Sequence, residues 1–129
     1  MATSQDLARE LLGLARDDEA ATRAMLSEAS VSNAIVCFHA QQAVEKALKA
    51  VLASRDVVFP FTHDLEGLIE LCEAEGLSLP ADLDDADRLS PYGVRLRYGG
   101  GDPGTVDRET ALEWAVSAIE FASLHIDAP

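Results

Sequence analysis

The sequence predicts an all-α fold, an antiparallel up-and-down bundle of four to five helices. Three observations support this prediction. Apolar residues recur at helical spacing through most of the 129 residues, and no segment shows convincing strand alternation. Prolines, glycines and cap-forming residues divide the periodic segments and leave short connections between them. The length is typical of one domain, so we assign residues 1–129 to a single helical domain without an internal repeat.

Two long helices are predicted in the first half of the chain. The first extends over about residues 4–26, where leucines and alanines recur with charged residues between them. Gly13 interrupts this pattern at only a modest cost in helix propensity. The segment SEASVSN then supplies cap residues, and a second helix follows over about residues 32–54.

A third helix is predicted after a break at Pro60. Proline cannot continue a helix, and it pushes the preceding Phe59 towards extended geometry. Thr62 is then a suitable N-cap for a helix over about residues 63–75. Gly76 is placed to end that helix.

The segment that follows is less regular. Pro80 suits a helix start, and we predict a short fourth helix over about residues 82–89. Pro91 interrupts the pattern, which residues 94–98 resume. The sequence GGGDPG at residues 99–104 is typical of a flexible loop.

The last predicted helix begins at Thr105 or Asp107 and reaches about His125. Its apolar spacing predicts six inward-facing residues: Ala111, Trp114, Ala115, Ala118, Phe121 and Ala122.

Composition and charge exclude several classes of protein. The formal net charge of −13 argues against a protein that coats nucleic acid nonspecifically. No apolar run approaches the roughly 18 residues of a membrane helix, and the N-terminal MATSQDLARELL lacks a signal-peptide pattern. We therefore expect a cytoplasmic protein, with Cys37 and Cys72 as buried thiols and without a metal site or cofactor.

The charge is distributed unevenly. Residues 64–87 contain nine acidic residues and no basic one, whereas residues 88–108 contain four arginines against two aspartates. A solvated helix face explains the acidic block.

The second helix has apolar residues on more than one side. One face is the predicted bundle core and comprises Cys37, Ala40, Val44, Ala47, Leu48 and Val51. Ile35 and Phe38 lie opposite or beside that face. A helix with two apolar faces usually packs against two neighbours, so the pattern predicts a homodimer through this helix.

The same helix also carries polar residues in an apolar context. Gln41, Glu45 and Lys49 follow one another at intervals of four, which stabilises a helix by a few tenths of a kcal/mol. Long polar side chains at a core edge also extend their tips towards water. The alternative interpretation is that these residues face a subunit or a bound ligand.

The chain contains the segments HAQQAVEKALKAVL, THDLEGLIEL and RLRYGG. Together they resemble the HEPN domain family (higher eukaryotes and prokaryotes nucleotide-binding), and the resemblance covers about residues 35–129. It implies a four- or five-helix up-and-down bundle that is often a homodimer. It also implies pairing with a minimal nucleotidyltransferase in toxin–antitoxin-like modules.

Many HEPN proteins resemble metal-independent ribonucleases with a His four to six residues after an Arg. In that chemistry the imidazole moves the proton of a ribose 2′-hydroxyl and the guanidinium holds the phosphate. This sequence departs from the pattern, since Arg95 and Arg97 precede YGGGDPGT and seven residues separate Arg55 from His63. We assign no catalytic residue, and a composite His63 and Arg97 site of a ribonuclease toxin is the alternative.

The remaining hypothesis is an interaction module that binds a nucleotide or RNA. Its candidate ligand-binding residues are Lys46, Lys49, His63, Arg95, Arg97 and Tyr98. The arginines would hold a phosphate, Tyr98 would stack a base, and the lysines would add charge.

Each candidate residue also has a structural alternative. The arginines would neutralise the acidic block, Tyr98 would cover the core, and His63 would cap and pack beside the Phe59–Phe61 turn. A helical bundle without any ligand is the third hypothesis.

Overall fold

The computed structural model describes residues 3–95 and 106–126, and within those ranges it is helical without a strand. The elements in chain order are α1 (Ser4–Met25), α2 (Asn33–Ser54), α3 (Leu65–Ala74), a 3₁₀ segment (Ala81–Leu89), α4 (Ser90–Arg95) and α5 (Arg108–Ile126). The all-α prediction is confirmed.

Local capping explains where the two long helices begin. Thr3 forms a capping box with Asp6 at the start of α1, in which each side chain bonds the backbone N–H of the other residue. The Ser32 side chain accepts a hydrogen bond from the Ile35 N–H at the start of α2. Both helices lie within two residues of their predicted bounds.

Helix α2 is the centre of the molecule. It packs against α1, α3, α4, α5 and the 3₁₀ segment. All six residues of its predicted core face are buried: Cys37, Ala40, Val44, Ala47, Leu48 and Val51. The chain's own helices therefore cover α2 on several sides, and Ile35 near its first turn stays 40% exposed. The homodimer remains a prediction that this packing does not require.

The region between α2 and α5 corrects two local predictions. Asp64, and not Thr62, caps α3, because its carboxylate accepts from the Glu66 N–H while Thr62 accepts from the Asp64 N–H. Pro91 does not interrupt a helix, since it lies in the first turn of α4, where its missing N–H is not needed.

Two further predictions concern the connections that follow α3 and α4. Gly76 ends α3 as predicted, with a φ of 81°. Residues 96–98 of the predicted resumed helix and the predicted loop at 99–104 lie outside the described residues.

Asp107 supplies the first hydrogen bonds of α5. Its carboxylate accepts from the Thr110 N–H at 2.8 Å, and its carbonyl accepts from the Ala111 N–H at 3.0 Å. All six inward-facing residues predicted for this helix are buried: Ala111, Trp114, Ala115, Ala118, Phe121 and Ala122.

Arg108 joins the start of α5 to the connection between α1 and α2. Its guanidinium donates to the backbone carbonyls of Met25 at 3.1 Å, Glu28 at 3.2 Å and Val31 at 2.9 Å. Its Nε also donates to the Asn33 side-chain oxygen at 3.4 Å. These carbonyls lie at and after the end of α1, and those of Met25 and Glu28 also accept from the backbone N–H groups of Glu28 and Val31. One side chain thus adds charged donors to the turns that follow the helix.

Both cysteines are free and buried, as the sequence predicts. Burial raises the pKa of the Cys72 thiol to about 12. Cys72 is therefore protonated at neutral pH and unreactive. None of the described helices combines the length and the hydropathy needed to cross a membrane.

Candidate functional site

A cluster of buried polar side chains lies on the side of α2 that faces α4 and the segment before α3. Gln41 is fully buried, and Glu45 is 5% exposed. Gln41, Glu45 and Lys49 occupy successive turns of α2, so their side chains share one face of that helix.

Both carboxylate oxygens of Glu45 are occupied. Oε1 accepts from Gln41 Nε2 at 3.0 Å and lies 2.8 Å from His63 Nδ1, and Oε2 accepts from Lys49 Nζ at 3.0 Å. Burial by itself raises the pKa of Glu45, but the hydrogen bonds from Gln41, His63 and Lys49 outweigh it and lower that pKa below its ordinary value. Glu45 is therefore ionised at neutral pH, and Nδ1 of His63 is the donor to it.

Gln41 extends the cluster to two other parts of the chain. Its Nε2 also donates to the His63 carbonyl at 3.3 Å, and its Oε1 accepts from Gln42 Nε2 at 2.6 Å. Gly93 of α4 lies directly over the Gln41 amide, because a Cβ added there would be only 2.6–2.8 Å from three of its atoms. The cluster thus fixes the segment before α3 and the position of α4 relative to α2.

The contact between Gly93 and Gln41 gives a first testable prediction. We expect Gly93→Ala to lower the free energy of unfolding by about 1–2 kcal/mol, because the steric cost exceeds alanine's gain in helix propensity. Urea denaturation followed by circular dichroism measures this difference.

Gly13→Ala in α1 is the matched control. An added Cβ at Gly13 meets nothing within 4 Å, so we expect a stabilisation of about 0.5–1 kcal/mol. The destabilisation by Gly93→Ala should also shrink in a Gln41→Ala background. An equal loss in both backgrounds would contradict the steric explanation.

A second cluster lies between α1 and α2 around Asp18. Its Oδ1 lies 3.1 Å from His39 Nδ1, and its Oδ2 accepts from Lys46 Nζ at 2.6 Å. These side chains lie on the side of α2 that faces α1.

The structure separates the predicted site residues into two groups. Lys49 and His63 meet at Glu45, whereas Lys46 pairs with Asp18 on the other side of α2. Lys49 Nζ also lies 5.8 Å from the ring centroids of Phe59 and Phe61.

Three of the predicted site residues cannot be placed with these. Arg95 ends α4, but its side chain lies outside the described part of the chain, as do residues Arg97 and Tyr98. A role of all six residues in ligand binding stays a prediction.

Sequence reasoning missed Asp18 and Gly93 and did not join Glu45 to His63. The interval of four between Gln41, Glu45 and Lys49 was the available signal for the cluster. Nothing local in the sequence indicates that a histidine 18 residues after Glu45 binds the same carboxylate. Among the described residues, no group of three or more His, Cys, Asp or Glu side chains is arranged to hold a metal ion.

The helices packed around the largely apolar α2 define an all-α bundle domain, with a buried ion-pair cluster on one side of that central helix. The HEPN domain model matches residues 8–126. The chain belongs to the HEPN domain family.

The chain is also similar to a solved structure. The crystal structure of TT1696 from Thermus thermophilus superposes with a TM-score of 0.74 at 29% sequence identity. The superposition covers 90% of this chain and 95% of that one. No curated protein matches the chain.

Proposed function

We propose that this HEPN domain is an interaction module that pairs with a minimal nucleotidyltransferase in a toxin–antitoxin-like system and binds a nucleotide or RNA. The observation that carries the proposal is the match of the HEPN domain model to residues 8–126, because the resemblance to that family implies the pairing. Within the fold, the buried Glu45 carboxylate holds both His63 and Lys49. Two of the candidate ligand-binding residues therefore make contacts that stabilise the fold. The sequence also lacks the Arg–His spacing of the family's ribonucleases.

The charge of the chain supports a protein partner. The formal net charge is −13, and an acidic surface favours association with a basic partner and speeds it. We also propose that the module is a homodimer, with Ile35 of α2, which is 40% exposed, in its interface.

In this proposal the ligand binds near the C-terminal end of α4, next to the polar cluster. Gly93 touches Gln41, whose amide donates to the His63 carbonyl, and Arg95, Arg97 and Tyr98 follow Gly93 in the sequence. Lys49 is neutralised by Glu45, and therefore the arginines would supply the charge that holds a phosphate.

The proposal predicts that a small nucleotidyltransferase is encoded beside this gene, and co-expression of the two proteins tests the pairing. We expect the two proteins to elute together in gel filtration, and separate elution would overturn the proposed pairing. For the ligand, calorimetric titration with nucleotides should show binding that Arg97→Ala weakens about tenfold or more. The exposed Arg9 of α1 provides the matched control Arg9→Ala, which should bind as the wild type does.

A metal-independent ribonuclease is the second candidate, and the His63–Glu45 pair favours it. A carboxylate bound to Nδ1 orients a histidine so that its other nitrogen can act as a base. In such a reaction His63 would take the proton of a ribose 2′-hydroxyl, whose oxygen attacks the phosphate and displaces the 5′-oxygen, and the leaving 5′-oxygen would take up a proton from water. Arg97 would hold the phosphate.

Incubation with RNA in the presence and absence of a chelator separates the two candidates. Cleavage that resists chelation and is lost in both His63→Ala and Arg97→Ala would establish the ribonuclease. Intact RNA under both conditions is the result expected for the interaction module.

A further inference from the structure

The connection between α2 and α3 holds large apolar side chains in water. Val58 is 92% exposed and Phe61 is fully exposed, with the half-buried Phe59 between them. Leu7 of α1 is also exposed, and together with Val58 and Phe59 it lines a groove of about 390 Å³. We call Leu7, Val58, Phe59 and Phe61 the loop patch.

The first part of this loop is tied to the helices. The Val57 N–H donates to the Leu52 carbonyl at 2.9 Å. The Ser4 hydroxyl at the start of α1 donates to the Asp56 carboxylate. These contacts fix the entry of the loop to both long helices.

The second part of the loop is tied to the buried cluster. His63 binds Glu45, and the Lys49 ammonium lies 5.8 Å from the ring centroids of both Phe59 and Phe61. The patch is therefore presented by a loop anchored at both ends. A preorganised apolar surface loses little conformational entropy on binding, which is typical of interaction hot spots.

Carboxylates flank the loop patch in the sequence. Asp56 lines the groove before Val58, and the exposed Asp64 follows Phe61. Arg55 is exposed, the Lys49 ammonium beside the two phenylalanines is paired with Glu45, and the chain as a whole carries a charge of −13. Two copies paired symmetrically through this patch would bring the same carboxylates together, whereas a basic partner would be attracted.

We infer that the loop patch is a docking surface for a protein partner that presents a large apolar side chain within a basic rim. This inference rests on the proposed pairing function and names the surface that the partner would use. The patch supplies the apolar anchor, and the flanking carboxylates select the charge of the partner.

A defined peptide tests the patch without knowledge of the natural partner. The probe is a labelled amphipathic peptide of about 18 residues built from leucine and lysine, titrated with the full chain at physiological salt and followed by fluorescence anisotropy. Its counterparts carry glutamate for lysine or serine for leucine. The protein variants are Val58→Ser/Phe61→Ser and, as control, Leu124→Ser, whose apolar side chain on α5 is 72% exposed.

We expect the leucine–lysine peptide to bind, and we expect each counterpart to bind at least about tenfold more weakly. The patch variant should lose about tenfold in affinity while Leu124→Ser binds as the wild type does. Circular dichroism verifies that both variants fold. Equal binding by the patch variant and the wild type, or no binding of the leucine–lysine peptide, would overturn the inference.

Two further measurements exclude other occupants. If the wild type sediments as a dimer that the patch variant cannot form, the occupant is a second copy. If a labelled single-stranded RNA binds the wild type and not the patch variant, the patch stacks bases. Either result overturns the inference.

The peptide result is independent of the pairing experiment. If the nucleotidyltransferase does not co-elute, the proposed function is rejected. The peptide titration then still decides whether the loop patch is a docking surface. Co-elution that survives Val58→Ser/Phe61→Ser rejects the patch alone.

Discussion

Glu45→Ala is expected to lower the free energy of unfolding by about 3–5 kcal/mol, because it removes one partner of a buried ion pair. The substitution leaves the Lys49 ammonium and the Gln41 amide without the oxygens that they bind in the wild type. His63 loses its contact at the same time. Urea denaturation of the purified chain at neutral pH measures the loss.

Glu45→Gln is the matched control because it keeps the shape of the side chain and removes its charge. We expect it to cost about 1–3 kcal/mol, since one amide cannot accept from every donor around it. A cost below about 1 kcal/mol for Glu45→Ala would show that the cluster contributes little to stability.

The comparison of wild type with Glu45→Gln should also depend on pH. The folded pKa of Glu45 is depressed below its ordinary value of 4.5, so its ionised form contributes stability above that value. The contribution is lost as the pH falls through the folded pKa. The difference between the two proteins should therefore be constant near neutral pH and shrink in acid, and a difference that grows in acid would contradict the assignment.

Arg108→Ala is expected to lower the free energy of unfolding by about 2–3 kcal/mol, because backbone carbonyls lose a charged donor. The carbonyls of Met25, Glu28 and Val31 all accept from this guanidinium. Arg108→Lys should recover only part of the loss, since an ammonium is a point charge without the planar fork.

Arg23→Ala is the control for this prediction. The exposed Arg23 pairs with the half-buried Glu19 at 3.5 Å, and surface pairs contribute about 0–1 kcal/mol. Equal losses for Arg23→Ala and Arg108→Ala would show that the contacts of Arg108 add no more than a surface ion pair.

The helices were predictable because their determinants are local. Apolar spacing identified the core face of α2, and Asp107 and Gly76 marked helix ends through their own side chain or φ angle. The errors at Thr62 and Pro91 are also local, since a neighbouring Asp64 is as good a cap as Thr62 and proline suits a first turn as well as a break.

The candidate site was less predictable because its contacts join distant segments. Spacing along α2 places Glu45 beside Lys49, but the approach of His63 and Gly93 depends on how α3 and α4 pack. The contacts of Arg108 likewise cross about 80 residues of sequence. Periodicity contains no information on such pairings.

The arrangement around Glu45 has an evolutionary consequence. The side chains of Gln41, Lys49 and His63 all contact Glu45, and Gly93 contacts Gln41. The residue at each of these four positions therefore limits which residues the others can be. A lineage that replaced one of them alone would pass through an intermediate with an orphaned charge or a steric clash. Epistasis would therefore make these positions drift together or remain unchanged.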